Sequence, residues 1–252
     1  MPAVVSTRRL FSRLLSTLDI DTVCDVGSMD GHEAREFRRR LPGAAILAFE
    51  PHPQNFARMS ADPRLREQGI RVFPFAASDR DAEAPFFLVQ ANAAAPADVL
   101  NRGRSSLLRR DDDSRLDSVV PVRTVRLDRL LAQEQPAAAA LALWIDVEGM
   151  AFEAISGASG LLGRARLLHV EVEAVPCIGP AQKLFRDVLN QLEQAGFELL
   201  ATDAPTDSVQ FNALFVRGEL LRARAPQIRA WLVLAWLRRR VGRLARKLRP
   251  RG

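Results

Sequence analysis

Three features of this 252-residue sequence predict an α/β fold built on a mostly parallel sheet. Short apolar runs alternate with helix-like stretches along most of the chain, the pattern of parallel strands covered by helices. The last two runs, F-E-L-L-A-T and F-N-A-L-F-V, are separated only by a loop with Pro205 and Asp207, so they form a hairpin that adds an antiparallel strand. The first strong run, T-V-C-D-V-G, enters a turn holding Gly27 and Gly31, where the backbone must bend tightly.

The elements follow in order. T-V-C-D-V-G is the first strand, and His32 to Leu41 reads as a helix stopped by Pro42 and Gly43. A-I-L-A-F-E is the second strand, with a helix beginning at Pro53, since proline is tolerated in a first turn. I-R-V-F-P-F-A-A is read as one third strand. L-A-L-W-I-D-V is the fourth, followed by a helix near Ala151–Ser156. A-R-L-L-H-V-E-V-E is the fifth, followed by a helix over Gln182–Ala195 with Leu184, Val188 and Leu192 on one face. Residues 1–217 are expected to form one domain, with a functional insertion at about 85–128 and a tail over 218–252.

Composition narrows the class. Two distant cysteines, Cys24 and Cys177, make neither a disulfide framework nor a metal spacing, and they suit a reducing cytoplasm. The N-terminus is too short and polar for a secretory signal, and no segment reaches the ~20 apolar residues of a membrane span. A cytoplasmic protein is expected. The net charge is +6, yet eleven Arg and Lys against a single acid lie from Gly218 onward, so the remaining body is mildly acidic. An acidic body argues against nucleic acid as a partner.

Two phosphate-binding patterns fail at the glycine turn. Gly27-Ser28-Met29-Asp30-Gly31 is not G-x-G-x-x-G, and Gly31-His32-Glu33 does not end a P-loop. With Asp25 at the strand end and Asp30 in the turn, the favoured guest is cationic or rich in hydroxyls. S-adenosylmethionine (SAM) fits that description. Glu50, at the end of the second strand, stands where an acid binds ribose hydroxyls. The plainer readings are that Asp30 caps the next helix and that Glu50 is a solvated acid.

D-V-G-S-M-D-G, A-F-E-P-H-P, F-A-A-S-D, S-S-L, V-R-T-V-R-L-D and W-I-D-V-E-G-M-A-F-E-A-I-S-G-A follow one another as in the FkbM-type methyltransferases, which this sequence resembles over roughly residues 20–216. The resemblance implies a Rossmann-like class I methyltransferase fold, with a seven-stranded sheet whose last strand is antiparallel. It also implies SAM as cofactor and O-methylation of a sugar, glycolipid or secondary metabolite. Carried over by position, Asp25, Gly27, Ser28, Asp30 and Gly31 form the cofactor loop, Glu50 binds ribose, and Asp79 meets adenine. Asp146 faces the methyl group with Glu148 beside it, and Ser105 and Ser106 lie on the acceptor side. The sequence departs from the family at Ser28-Met29, commonly Ala-Asn, and at Trp144, commonly Lys.

A hydroxyl acceptor must lose its proton, which calls for a base or a metal. Asp146 is the first choice as base or ligand, and Glu148 the second. Their spacing puts both on one strand face if the strand persists, whereas a turn after Val147 splays them apart. The alternative is that Asp146 only orients the cofactor and Glu148 only caps the following helix. His169, Glu171 and Glu173 alternate along the fifth strand, so all three share a face. They suit substrate binding or burial against a helix equally. His32 and His52 are expected at the surface. No His/Cys cluster has zinc spacing, and no metal ligands are assigned.

In the tail, Trp231, Leu234, Leu237, Val241, Leu244 and Leu248 form an apolar helical stripe flanked by arginines. Such a basic amphipathic helix suits an anionic membrane surface at residues 226–252, on the inner face of a membrane. Packing on the domain or on a partner is the competing reading, and RNA binding a third. Two other functions compete with an O-methyltransferase. One is a non-catalytic binding protein that docks through the tail. The other is an RNA methyltransferase, disfavoured by the acidic body and by the lack of an Asn-Pro-Pro-Tyr-type motif.

Overall fold

The computed structural model describes residues 2–89, 103–110, 116–135, 137–179, 181–224, 226–228, 230, 231 and 233, the side chains of Leu116 and Asp117 excepted. The elements are β1 (Ala3–Val4), α1 (Thr7–Leu15), β2 (Thr22–Val26), α2 (His32–Arg40), β3 (Ala45–Phe49), α3 (Pro53–Ala61), α4 (Pro63–Glu67), β4 (Ile70–Phe73) and β5 (Phe75–Ala77). Then come β6 (Ala82–Val89), β7 (Leu116–Val125), α5 (Leu127–Glu134), β8 (Leu141–Ile145), α6 (Ala151–Gly157), β9 (Ala165–Glu173), α7 (Phe185–Gln194), β10 (Phe197–Thr202), β11 (Gln210–Arg217) and α8 (Gly218–Ala223).

The main sheet has the order β1-β10-β11-β9-β8-β2-β3-β4. Every neighbouring pair is parallel except those of β11, which runs antiparallel to both β10 and β9. The predicted mixed sheet is therefore present, and the terminal hairpin supplies its antiparallel strand. An eighth strand extends the expected seven. β1 is too short to stand out in sequence, and it pairs with β10 through Ala3 and Val4.

The expected third strand is two. Pro74 has no amide hydrogen and cannot continue the ladder. β4 therefore ends the main sheet, while β5 leaves it to pair with β7. With β6, these form a second, three-stranded sheet of order β5-β7-β6. The flanks of the predicted insertion are thus the antiparallel pair β6 and β7, running from Ala82↔Thr124 to Val89↔Leu116. The Ala-rich stretch and the Asp111–Asp113 run lie outside the described residues.

Strands β2 and β8 are buried along their whole length, as the centre of a parallel sheet requires. Alternate residues feed two cores. Cys24, Leu143, Val170, Leu131 and Val188 belong to the core under α5, α6 and α7. Val23, Trp144, Leu167, Phe11 and Phe37 belong to the one under α1 and α2. The start of the tail packs on the domain: Ile228 is buried, and Trp231 rests on the α1/α2 core. The stripe from Leu234 to Leu248 lies outside the described residues. Among the described residues, no helix is long and apolar enough to cross a membrane.

His169 belongs to this core. Its ring stacks on Trp144 with centroids 3.5 Å apart and planes 3° from parallel. Its Nε2 shares a 3.0 Å hydrogen bond with Thr7 Oγ1 of α1. Burial, helped by the Arg8 charge, pushes its pKa down to about 3. The unfolded chain takes up that proton near pH 6.5. The stabilisation is therefore complete above about pH 6.5 and is lost as pH falls toward 3, at about 1.4 kcal/mol per unit. His169→Phe keeps an aromatic ring on Trp144 but does not titrate. Between pH 7 and 5 its urea midpoint should fall less than that of the wild type, a difference approaching about 2 kcal/mol at pH 5. Equal losses would mean that the imidazole is protonated inside the fold.

Candidate active site

The loop after β2 is fixed from three sides. Gly27 has φ +85°, and a Cβ there would stand 1.7 Å from the carbonyl oxygen of Asp146, so the loop lies directly against the end of β8. The amides of Gly27 and Ser28 both donate to Phe49 O at 3.0 Å. Glu50 completes the clamp: its Oε2 accepts from Met29 N at 2.7 Å and its Oε1 from His52 N at 2.8 Å. Burial pushes the Glu50 pKa up to about 7 against those amide bonds. Met29 itself is left-handed, with φ +55°.

A cleft opens beside this loop, its empty space about 520 Å³ including the mouth that opens to solvent. Gly27, Met29 and Glu50 form one wall. Phe75, Ala77 and Phe86 give it an apolar lining. Ser105 and Leu107 close the far side, and Asp146 and Glu148 supply the acids.

Several predicted loop residues point elsewhere. Asp25 is buried beneath the loop, its Oδ2 accepting from Ser28 Oγ at 2.5 Å and Ala34 N at 3.1 Å, so Asp25 and Ser28 brace α2 rather than line the cleft. Burial raises the Asp25 pKa well above the usual carboxylate range. Asp30 accepts from His32 N at 2.9 Å and caps α2, the plainer of its two readings. Gly31 precedes α2 in a left-handed conformation against Leu65. Asp79 pairs with Arg80 at 3.0 Å, which lowers its pKa, and it is not part of the cleft lining. The chain reaches the cleft at Phe75, Ala76 and Ala77 instead, because β5 rather than the following turn runs along it.

β8 ends at Ile145, so the single-strand-face geometry expected for Asp146 and Glu148 does not arise. Glu148 and Gly149 turn left-handed, with φ +49° and +87°. The turn nevertheless gathers the acids: carboxylate oxygens of Asp146, Glu148 and Glu171 all lie within 4.8 Å of one another. Burial raises all three, pushing Glu148 to about 7 and Glu171 well above its usual value beside Asp146 and Glu148. The carboxyls of Asp146, Glu148 and Glu171 are close enough that the charge on one raises its neighbours. His169 shares the face of Glu171 on β9 but packs against α1 and is not part of the cleft lining. Trp144 is likewise core, so that departure from the family pattern does not touch the cleft.

Residues 103–110 supply a further part of the cleft wall through Gly103, Ser105 and Leu107. Ser105 Oγ accepts from Val89 N at 3.2 Å, and Ser106 Oγ donates to Glu148 O at 2.7 Å. Ser106 is thus a tether, while Ser105 reaches the cleft. Sequence reasoning missed Arg110, whose Nη1 binds Glu148 Oε2 at 3.0 Å and partly offsets the burial of that carboxylate. An arginine in R-R-D-D-D reads as a solvated charge, and nothing local to it points to Glu148. His52, expected at the surface, is buried, with its Nδ1 accepting from Gln54 N to cap α3. His32 is exposed beside Glu36, as expected.

Residues 25–199 match the family described as the methyltransferase FkbM domain. The 2-O-methyltransferase NoeI of Sinorhizobium fredii (strain NBRC 101917 / NGR234) is 28% identical over 152 residues, 59% of this chain and 62% of that protein. The match thus spans about three fifths of that relative's length. Among solved structures, the methyltransferase FkbM of Methylobacillus flagellatus KT aligns with a TM-score of 0.48 at 14% identity, over 80% of this chain and 47% of the other. The magnesium protoporphyrin IX methyltransferase of Synechocystis PCC 6803, crystallised with SAM, aligns at 0.44 and 13%, over 84% and 78%. The matched domain runs from the glycine loop through the carboxylate cluster to β10, and on that extent the chain belongs to the FkbM methyltransferase family.

Proposed function

We propose that this protein is a SAM-dependent O-methyltransferase acting on a hydroxyl of a sugar, glycolipid or secondary metabolite. The observation that carries the reading is the carboxylate group of Asp146, Glu148 and Glu171, two of whose members line the cleft beside the glycine loop. The relative NoeI, named a 2-O-methyltransferase, supports oxygen as the acceptor atom.

The cleft suits SAM chemically. Glu50 offers an acid for ribose hydroxyls, Phe75 and Phe86 an apolar lining for the adenine, and the acids a favourable field for a sulfonium. When bound, the cofactor supplies an electrophilic methyl group. The protein's own work is then to hold an acceptor hydroxyl in line, which can contribute several kcal/mol of the barrier lowering, about 7 or more in the best cases. It must also receive the hydroxyl proton. We assign that role to Asp146, with Glu148 second, because both line the cleft. Arg110 and the Ser106 tether fix the position of Glu148.

Release of S-adenosylhomocysteine with a panel of acceptors tests the reading. Sugars bearing free hydroxyls should turn over, and the same sugars blocked at the methylated oxygen should not. Turnover confined to amines, carboxylates or RNA would reject oxygen methylation of this class.

A further inference from the structure

We propose that Asp146, Glu148 and Glu171 hold a hard divalent cation of the Mg²⁺, Mn²⁺ or Ca²⁺ type, and that the acceptor binds it through two adjacent hydroxyl oxygens. The diol acceptor rests on the O-methyl-transfer reading above; the cation rests on the geometry of the cluster.

One carboxylate oxygen from each residue lies within 4.8 Å of the other two. Oxygens on opposite sides of a Ca²⁺ at ~2.4 Å stand about 4.8 Å apart and neighbouring ones closer, so the three carboxylates are near enough to share one such ion. The shorter ligand distance of Mg²⁺, about 2.1 Å, would draw the three oxygens closer together than Ca²⁺ does. An all-oxygen donor set selects these hard ions over zinc or copper.

A second observation concerns Glu171. Its Oε2 is sealed from solvent and has no hydrogen-bond partner, although the carboxyl faces Asp146. Buried carboxylate oxygens are normally paired or bound to a metal. The charge balance points the same way. Glu173, also buried, is close enough to act on Asp146 and Glu148 and accepts from Gln210 Nε2 at 3.3 Å. Among the described residues, Arg110 is the one guanidinium paired with the cluster, and it engages Glu148 Oε2 at 3.0 Å. Among the described residues, the acids of the cluster thus outnumber the guanidinium paired with them.

The open side of the cluster decides the ligand. Asp146 and Glu148 line the cleft together with Ser105, so a cation there keeps coordination positions toward an incoming molecule. Neutral oxygens at short spacing fill such positions best, and a vicinal diol of a sugar offers two. Three protein carboxylates leave room for both in a six-coordinate sphere.

Mn²⁺ is the probe, read by loss of the free-ion electron paramagnetic resonance signal on the whole protein without cofactor or acceptor. One saturable site is expected, displaced by Mg²⁺ or Ca²⁺. Glu171→Gln and Asp146→Asn should each weaken it at least tenfold. Glu134→Gln, exposed on α5 beside Arg71, should leave it unchanged. Calorimetric binding of SAM by the variants verifies that they fold. Mn²⁺ binding indifferent to both cluster substitutions, or absent at millimolar ion, overturns the cation site. Turnover that survives exhaustive chelation overturns it too, while leaving O-methyl transfer intact. Saturable Mn²⁺ binding with no transfer to any diol instead overturns the acceptor reading alone.

Discussion

Asp146→Asn should abolish methyl transfer, lowering turnover by a factor of about 10²–10⁴, the range ascribed to a positioned base. Its affinity for SAM should stay within about tenfold of the wild type, a difference of ~1.4 kcal/mol. The asymmetry follows from how the residue is held. The Asp146 backbone is part of the scaffold: its N donates to Val26 O at 2.9 Å, and its carbonyl oxygen lies against Gly27. Asparagine keeps that backbone and nearly the same volume. It loses the negative charge that can receive a hydroxyl proton or bind a cation beside Glu171. Isothermal titration calorimetry alongside single-turnover rates checks both halves. Cofactor binding lost outright would make Asp146 a cofactor ligand. Turnover within tenfold of the wild type would remove it from the chemistry.

The parts of this site legible in sequence are those set by short-range pattern. The glycine spacing of D-V-G-S-M-D-G, Glu50 before Pro51, and Asp146 after an apolar run mark strand ends, and strand ends of a parallel sheet converge on one edge. The direction of each side chain was less legible. Asp25 lies one residue from the end of β2, yet alternation turns it with Val23 toward α2. A single strand cannot reveal which face its neighbours cover. The fate of His169 depended on α1, whose Thr7 and Phe11 cap it from 162 and 158 positions away. Arg110 reaches Glu148 across 38 residues. Pro74 was in plain view, but the strand it starts becomes visible only once β7, over forty residues on, is there to pair with it.

Gly27→Ala should be the most damaging single-methyl change in the loop, costing at least about 3 kcal/mol of stability and weakening SAM binding about a hundredfold or more. The added Cβ would stand 1.7 Å from the carbonyl oxygen of Asp146 and 2.8 Å from its carbon. These are backbone atoms at the end of a fully buried strand, and no rotamer change removes them. A left-handed φ of +85° adds strain of about 1–3 kcal/mol for any residue with a Cβ. The loop's escape is to lift away, which breaks the bonds of Gly27 and Ser28 to Phe49 O and of Met29 to Glu50. Two other glycines calibrate the argument. At Gly31, with φ +73°, the added methyl meets the two Cδ atoms of Leu65 at 2.9 Å, the yielding end of a side chain, so Gly31→Ala should cost only about 1–2 kcal/mol. At Gly43 nothing lies within 4 Å, and Gly43→Ala should be neutral within about 0.5 kcal/mol. Denaturant midpoints for the three variants test the ranking. If Gly31→Ala proved as costly as Gly27→Ala, backbone conformation alone would explain both, and the close approach of the loop to β8 would lose its claim to shape the cofactor cradle.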